Sequence, residues 1–235
     1  MGSYLLSFQN RLLRQIAPEA LAELGELPLV PLPMKLRLDD PTSSGVVYFL
    51  EEGVASVIAD IESSKMAIEL GIIGREGMVG LGVVYDDDES PYHTVIQVAG
   101  NAIQVETDRL RALMERDAAV RRLLLRFARA FSIQVASTAL ANGRSKLDER
   151  LARWLLMVGD RAGTTFPITH DFISVMLGVR RSGVTTAIQL LESQGLIRAS
   201  RGSITLLDRK GLIETANGAY GFAEHHYERL LGGKS

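Results

Sequence analysis

The sequence contains no cysteine. That excludes disulfides, thiolate zinc sites and cysteine-ligated iron–sulfur clusters together. Histidine is almost as scarce. Of four in the chain, only His93 falls between residues 34 and 106. A cupin-like metalloenzyme needs two or three histidines and a carboxylate at close spacing, so that alternative has little to build on. The Gly-x-Ser-x-Gly turn of a serine hydrolase is absent as well. The chain is expected to be no enzyme and to use neither metal nor cofactor. No run of about 18 apolar residues appears, so no membrane span is expected. The start, Met1–Ser7, lacks the basic region and apolar core of a secretory signal. A cytoplasmic protein is the reading.

Strong net charge is also lacking: the balance is −2 over 235 residues. Its distribution is uneven. Residues 1–143 hold 13 Lys and Arg against 19 Asp and Glu, and residues 144–235 hold 13 against 9. The basic C-terminal part suits a polyanionic partner.

The texture changes along the chain. Leu5, Phe8, Leu12, Leu13 and Ile16 recur at helical spacing, and Pro18 opens a second turn. Pro28, Pro31 and Pro33 close that section. From about 34 to 106, short β-branched runs (46–50, 54–58, 66–73, 94–98 and 102–105) alternate with Gly, Asp and Ser clusters. Strands at this spacing without intervening helices predict an antiparallel sandwich or jelly roll. The acidic stretch Asp86–Glu89 reads as a solvated loop.

Residues 107–141 read as one long helix. Val120, Leu124, Phe127, Phe131, Gln134, Thr138 and Ala141 step by fours and threes. A period of 3.5 is the seam of a helix lying along a copy of itself, although a helix packed on its own sandwich shows it too. The dimer reading is favoured, with Asn142-Gly143 as hinge. Leu147, Leu151, Trp154, Leu155 and Val158 mark a further amphipathic helix.

Segment 168–197 carries the chemistry. Thr169 is a good N-cap, and Phe172, Ile173, Met176 and Leu177 face inward over two turns. Gly178 supplies a left-handed turn. A second helix starts near Arg180 and buries Val184, Ile188 and Leu191. Its open side offers Arg180, Arg181, Ser182, Thr185 and Thr186. A helix-turn-helix needs this arrangement, because the start of its second helix meets base edges in the major groove. Two short strands around Gly202 make a wing whose Arg198 and Arg201 can reach phosphate. A module whose helix-turn-helix no longer binds DNA is the non-enzymatic alternative, and these four arginines argue against it.

On these residues the chain resembles the bacterial Crp/Fnr family. Ile168-Thr169, the turn glycine and Leu190-Leu191-Glu192-Ser193-Gln194-Gly195-Leu196-Ile197 carry the likeness, together with Val47-Tyr48-Phe49, Gly53 and Gly71–Gly80. The resemblance implies an α+β chain. A jelly-roll effector domain with N-terminal helices (1–106) would precede a dimerisation helix and hinge (107–143) and a winged helix-turn-helix domain (144–235). It implies a homodimeric transcription regulator on a near-palindromic operator, with RNA polymerase as a further partner. Arg181 falls at the family's main base-reading arginine. Ser182 stands where many members have glutamate, and Gly183 and Thr186 also depart, so a different operator is expected.

The resemblance places an effector pocket near Arg75, Glu76, Met78, His93 and Thr94. Cyclic-nucleotide binders carry a Gly-Glu-Leu cassette followed by Arg-Ser. Here Gly77-Met78-Val79 stands at the cassette, and no arginine lies between 76 and 108. A buried phosphate without a cation is heavily penalised. Cyclic AMP is therefore not expected to bind in the family's usual way, and His93 is the one substitute partner. The effector's identity stays open. The dimer seam would be Val120, Leu124, Phe127, Phe131, Gln134 and Thr138.

Overall fold

A computed structural model describes residues 8–38, 45–61, 66–87 and 89–232. Leu5 and Asp88 lie outside the described residues. The N-terminal segment makes a 3₁₀ turn at Leu13–Gln15 and the helix α1, Pro18–Glu23. Five antiparallel strands follow: β1 Leu29–Leu32, β2 Val46–Ile61, β3 Met66–Ile73, β4 Met78–Val79 and β5 His93–Glu106. They are ordered β1-β5-β2-β3, with β4 on β2.

Two pairs of short runs in the sequence are thus single long strands. β2 pairs β5 from Val46 to Ile58, with register shifts between Leu50 and Ala55. The irregularity is centred on two glycines. Gly53 has φ +88°, and a Cβ there would lie 2.6 Å from the Val98 carbonyl oxygen. A Cβ on Gly100 would lie 2.2 Å from the Glu52 oxygen. Bulges of this kind bend a strand without ending it, which is why glycine looked like a terminator. Pro31 sits inside β1, which is an edge strand, where a missing N–H costs no ladder bond.

The single long helix expected at 107–141 is two: α2 Thr107–Arg116 and α3 Ala118–Arg144. Asp117 breaks them. It adopts extended geometry, and its carboxylate accepts from the Ala119 and Val120 N–H groups at 2.7 and 3.2 Å. Nor does the helix end at Asn142-Gly143. It runs to Arg144, and the bend falls at Ser145-Lys146 before α4, Leu147–Ala162. The C-terminal part continues with β6 Thr165–Pro167, α5 His170–Met176, α6 Arg181–Ser193, β7 Ile197–Ser200, β8 Ser203–Leu206, α7 Arg209–Thr215 and α8 Phe222–Leu231.

The heptad seam of α3 is used inside the chain. Val120, Leu124 and Phe127 are buried in the core of the β domain with Phe49, Ile73 and Leu110. Gln134 grips β3: its Oε1 accepts from the Ile72 N–H at 2.6 Å, and its Nε2 donates to the Ile72 oxygen at 3.2 Å. Phe131 packs on the same core, and Thr138 Oγ1 accepts from Arg153 at 3.1 Å. A helix lying along a sheet presents the same period as one lying along its copy, so spacing did not separate them. By length and composition α3 could also cross a membrane. Eight of its side chains are instead buried against the chain itself.

A second core joins the two halves. Strand alternation sends Ala55, Val57 and Ile73 into the β-domain core. It sends Val54, Ile58 and Ile72 to the other face, against Trp154, Leu155, Phe166, Ile173 and Ile188. The β2–β3 ribbon is therefore covered on both faces, and α4 and α5 dock on it. Within this seam Trp154 Nε1 donates to Glu69 Oε1 at 2.8 Å. Arg161 pairs with Glu76 at 2.6 Å, with both side chains nearly buried. Tyr227 of α8 donates to the Glu76 carbonyl at 2.6 Å, and Arg11 pairs with Glu228.

Glu69 is fully buried, and desolvation pushes its carboxyl up to about 7, only partly offset by Ser56, Trp154, Arg153 and Arg161. Between the ordinary carboxylate value and about 7, the folded chain holds a proton that the unfolded chain has released. Stability should therefore fall as pH rises through that window, by up to about 1.4 kcal/mol per unit. Urea titrations of wild type and Glu69→Gln between pH 5 and 8 check this. The variant should show a flatter profile and gain relative to wild type above pH 7.

Candidate DNA interface and effector cavity

The helix-turn-helix is built by local rules. Thr169 caps α5, its Oγ1 accepting from the Phe172 N–H at 3.2 Å. Gly178 turns the chain with φ +61°, which a side chain rarely tolerates. An added methyl there would also come within 3.1 Å of Ile68 on β3, so the same glycine permits both the turn and the domain contact. Val184, Ala187, Ile188 and Leu191 bury one face of α6.

The opposite face is open. Arg180, Arg181, Ser182, Thr186 and Gln189 are exposed. Arg180 is the N-cap and makes no side-chain cap, which leaves first-turn N–H groups available to an anion. Thr185 is half-buried, tied to His170 Nδ1 at 3.1 Å and to the Arg181 carbonyl at 3.2 Å. Through His170 it ties α6 to α5. Arg181 Nε lies 3.3 Å from Asp171, both largely exposed. In the wing, Arg198 and Arg201 are exposed, and the Ala199 N–H donates to Glu192 at 2.7 Å, fixing the ribbon to the end of α6.

Sequence reasoning missed Gln189 and Asp171. Gln189 lies one turn beyond Thr185–Thr186 on the open face, and that spacing was available to find it. Glutamine suits adenine. Asp171 was readable only once α5 and α6 were placed side by side.

The five effector candidates separate. Met78 and Thr94 line a cavity of 440 Å³ between the β domain and α3, with Leu70, Ile73, Phe131 and Val135 among its walls. Among the described residues, none that lines it is Lys, Arg or His; Asp87 and Glu89 are its charged members. Arg75 and Glu76 line a different space of 320 Å³, against α3, α4 and α8. His93 lines neither. It pairs with Asp60 at 2.9 Å and contacts Arg37.

An exposed polar helix start, delivered by a capped turn and flanked by a basic wing, defines a winged helix-turn-helix DNA-binding protein. Residues 149–215 match the Crp-like helix-turn-helix domain. The fold is similar to a putative Crp/Fnr-family regulator from Eubacterium rectale, with 18% identity, TM-score 0.68, and coverage of 88% of this chain and 98% of that one. It is similar also to FixK2 from Bradyrhizobium japonicum, with 18% identity, TM-score 0.69, and coverage of 81% and 97%. A third likeness is to the c-di-GMP responsive global regulator CLP of Xanthomonas campestris, with 17% identity, TM-score 0.65, and coverage of 82% and 100%. No curated protein matches in sequence. Residues 149–215 thus carry a Crp-like helix-turn-helix domain, and the chain shares the fold of these Crp/Fnr-family structures.

Should Arg181 contact DNA, the Asp171 carboxylate 3.3 Å from it would compete for the guanidinium. Exposed pairs contribute little to stability. Asp171→Ala should therefore leave the melting temperature within a degree or two yet tighten DNA binding several-fold at low salt. Gel shifts at two ionic strengths check this, and the gain should shrink as salt rises.

Proposed function

We propose that the protein acts as a cytoplasmic, non-enzymatic homodimer that reads a near-palindromic operator. The observation that carries this reading is the open face of α6, where Arg180, Arg181, Ser182, Thr186 and Gln189 lie together on a helix whose other face is buried. In the major groove, Arg181 pairs with a guanine edge and Gln189 with an adenine, while Arg198 and Arg201 of the wing hold phosphate. Half-sites then lie about 34 Å apart. RNA polymerase is the further partner on the promoter.

The two copies meet along α3, on the face left exposed. Leu125, Ser132, Ala136, Ala139 and Leu140 form that stripe. Leu125 and Leu140 are 44% and 67% exposed, which favours a covered position in the working protein. The six seam residues expected from the sequence then support the interface from behind rather than forming it.

The effector site of this reading is the 440 Å³ cavity. Its walls are mostly apolar, and its charged members are acidic. A phosphate would enter without a counter-charge, so an uncharged, largely apolar molecule fits and a cyclic nucleotide does not.

Two measurements test the proposal. Arg181→Ala should lose about 1–3 kcal/mol at one base position of a selected operator while keeping non-specific affinity; selection from random DNA with an unchanged preference would remove Arg181 from the reading. Calorimetric titration with cyclic AMP should give no heat at concentrations up to about 1 mM, where a working site would be near saturation.

A further inference from the structure

The helix α3 carries five arginines and neither lysine nor acidic residue in 27 positions. Arg122, Arg126 and Arg129 are exposed, and no ion pair or hydrogen bond ties their side chains to another described residue. At about 100° per residue, these three lie to one side of the Leu125–Ser132–Ala136 stripe. Phe131 and Val135 lie to the other side, where they share the 440 Å³ cavity with Asp87 and Glu89. The loop after the 3₁₀ turn Leu81–Tyr85 thus sets two exposed carboxylates beside the α3 flank opposite the arginines.

Two-fold symmetry decides what faces what. When two helices pair in parallel about an axis between them, one flank of each meets the opposite flank of its copy. The arginine flank of one protomer then faces the acidic loop of the other. Without that loop, each arginine stripe would face a flank of the other copy that offers it no counter-charge. We propose that Asp87 and Glu89 of each protomer pair with Arg122, Arg126 and Arg129 of the partner subunit. This rests on the dimer reading above and deepens it. It makes the effector cavity a joint structure, because the loop that lines the cavity is held by the other copy. A ligand that moves the loop would thereby alter the fit between protomers.

Charge exchange tests this with the full chain. One variant carries Arg126→Glu and Arg129→Glu; another carries Asp87→Lys and Glu89→Lys. Each alone should dimerise at least about tenfold more weakly than wild type at low salt, as expected for facing like charges. Emission from Trp154, the chain's one tryptophan, checks that both fold. Mixed in equal amounts, the two variants should form heterodimers well above the statistical half, as counted by native mass spectrometry. In the heterodimer both facing pairs are complementary again, whereas pairing within one chain could not respond to mixing. Wild-type dimer strength in both variants, or a merely statistical mixture, overturns the proposal while leaving the dimer standing. A monomeric wild type at tens of micromolar overturns the dimer reading and the proposal together.

Discussion

Burial of the β2–β3 ribbon on both of its faces is the constraint on which the other parts depend. A ribbon with one wet face would show a clean alternation of apolar and polar residues. Here Val54 and Ile58 serve one core while Ala55 and Val57 serve the other, and Ile72 and Ile73 divide in the same way. The second core does not close without residues from the DNA-binding part, so docking of that part belongs to the fold itself. Glu69 marks the cost. A carboxyl in a fully buried seam gains one hydrogen bond from Trp154 and leaves its Oε2 without a partner among the described residues. Apolar area around it offsets that cost.

The same ribbon links the cavity to the DNA interface. Ile73 and Leu70 line the 440 Å³ cavity, and Glu69, Ile68 and Ile72 touch α4, the turn glycine and Gln134. Neighbours in sequence on β3 thus face this cavity on one side and the helix-turn-helix on the other. A ligand in the proposed effector site that displaced the strand would reach both α3 and Gly178 without any further relay. Such a ligand shifts the balance only as far as its affinity differs between arrangements.

The helix-turn-helix was legible because its signals are local. A Thr cap, a left-handed glycine and an apolar triplet at helical spacing specify two helices and a turn before any tertiary contact is known. Gly202 specified the wing in the same way. What failed to show was long-range. Gly53 and Gly100 read as chain terminators because their close approach lies across the sheet. Asp117 was passed over because the apolar period continues beyond it on both sides. The seam of α3 was read as the dimer face, whereas it packs on the chain's own β domain, because period alone does not say what buries a stripe. Arg75, Glu76 and Met78 stand adjacent in the chain, yet the turn between β3 and β4 sends Glu76 to Arg161 and Met78 to the cavity.

Docking leaves the base-reading face of α6 exposed, so occlusion is not how this arrangement would restrain DNA binding. The geometry of the pair is the remaining control. Two recognition helices read one operator only when their separation matches one turn of DNA, and each helix is fixed to its own β domain through Trp154, Arg161 and Tyr227. With that connection stiff, the proposed dimer would set the separation where its protomers meet, along α3. A small rotation there is carried undamped to both helix-turn-helix units, whereas a flexible hinge would have absorbed it. The absence of an uncapped, glycine-led break between α3 and α4 fits this. Gly143 is helical, Asn142 accepts from Arg150 at 3.0 Å, and the Lys146 N–H donates to Glu149 at 2.8 Å. In the proposed dimer, regulation would therefore act on how two rigid protomers are set against each other.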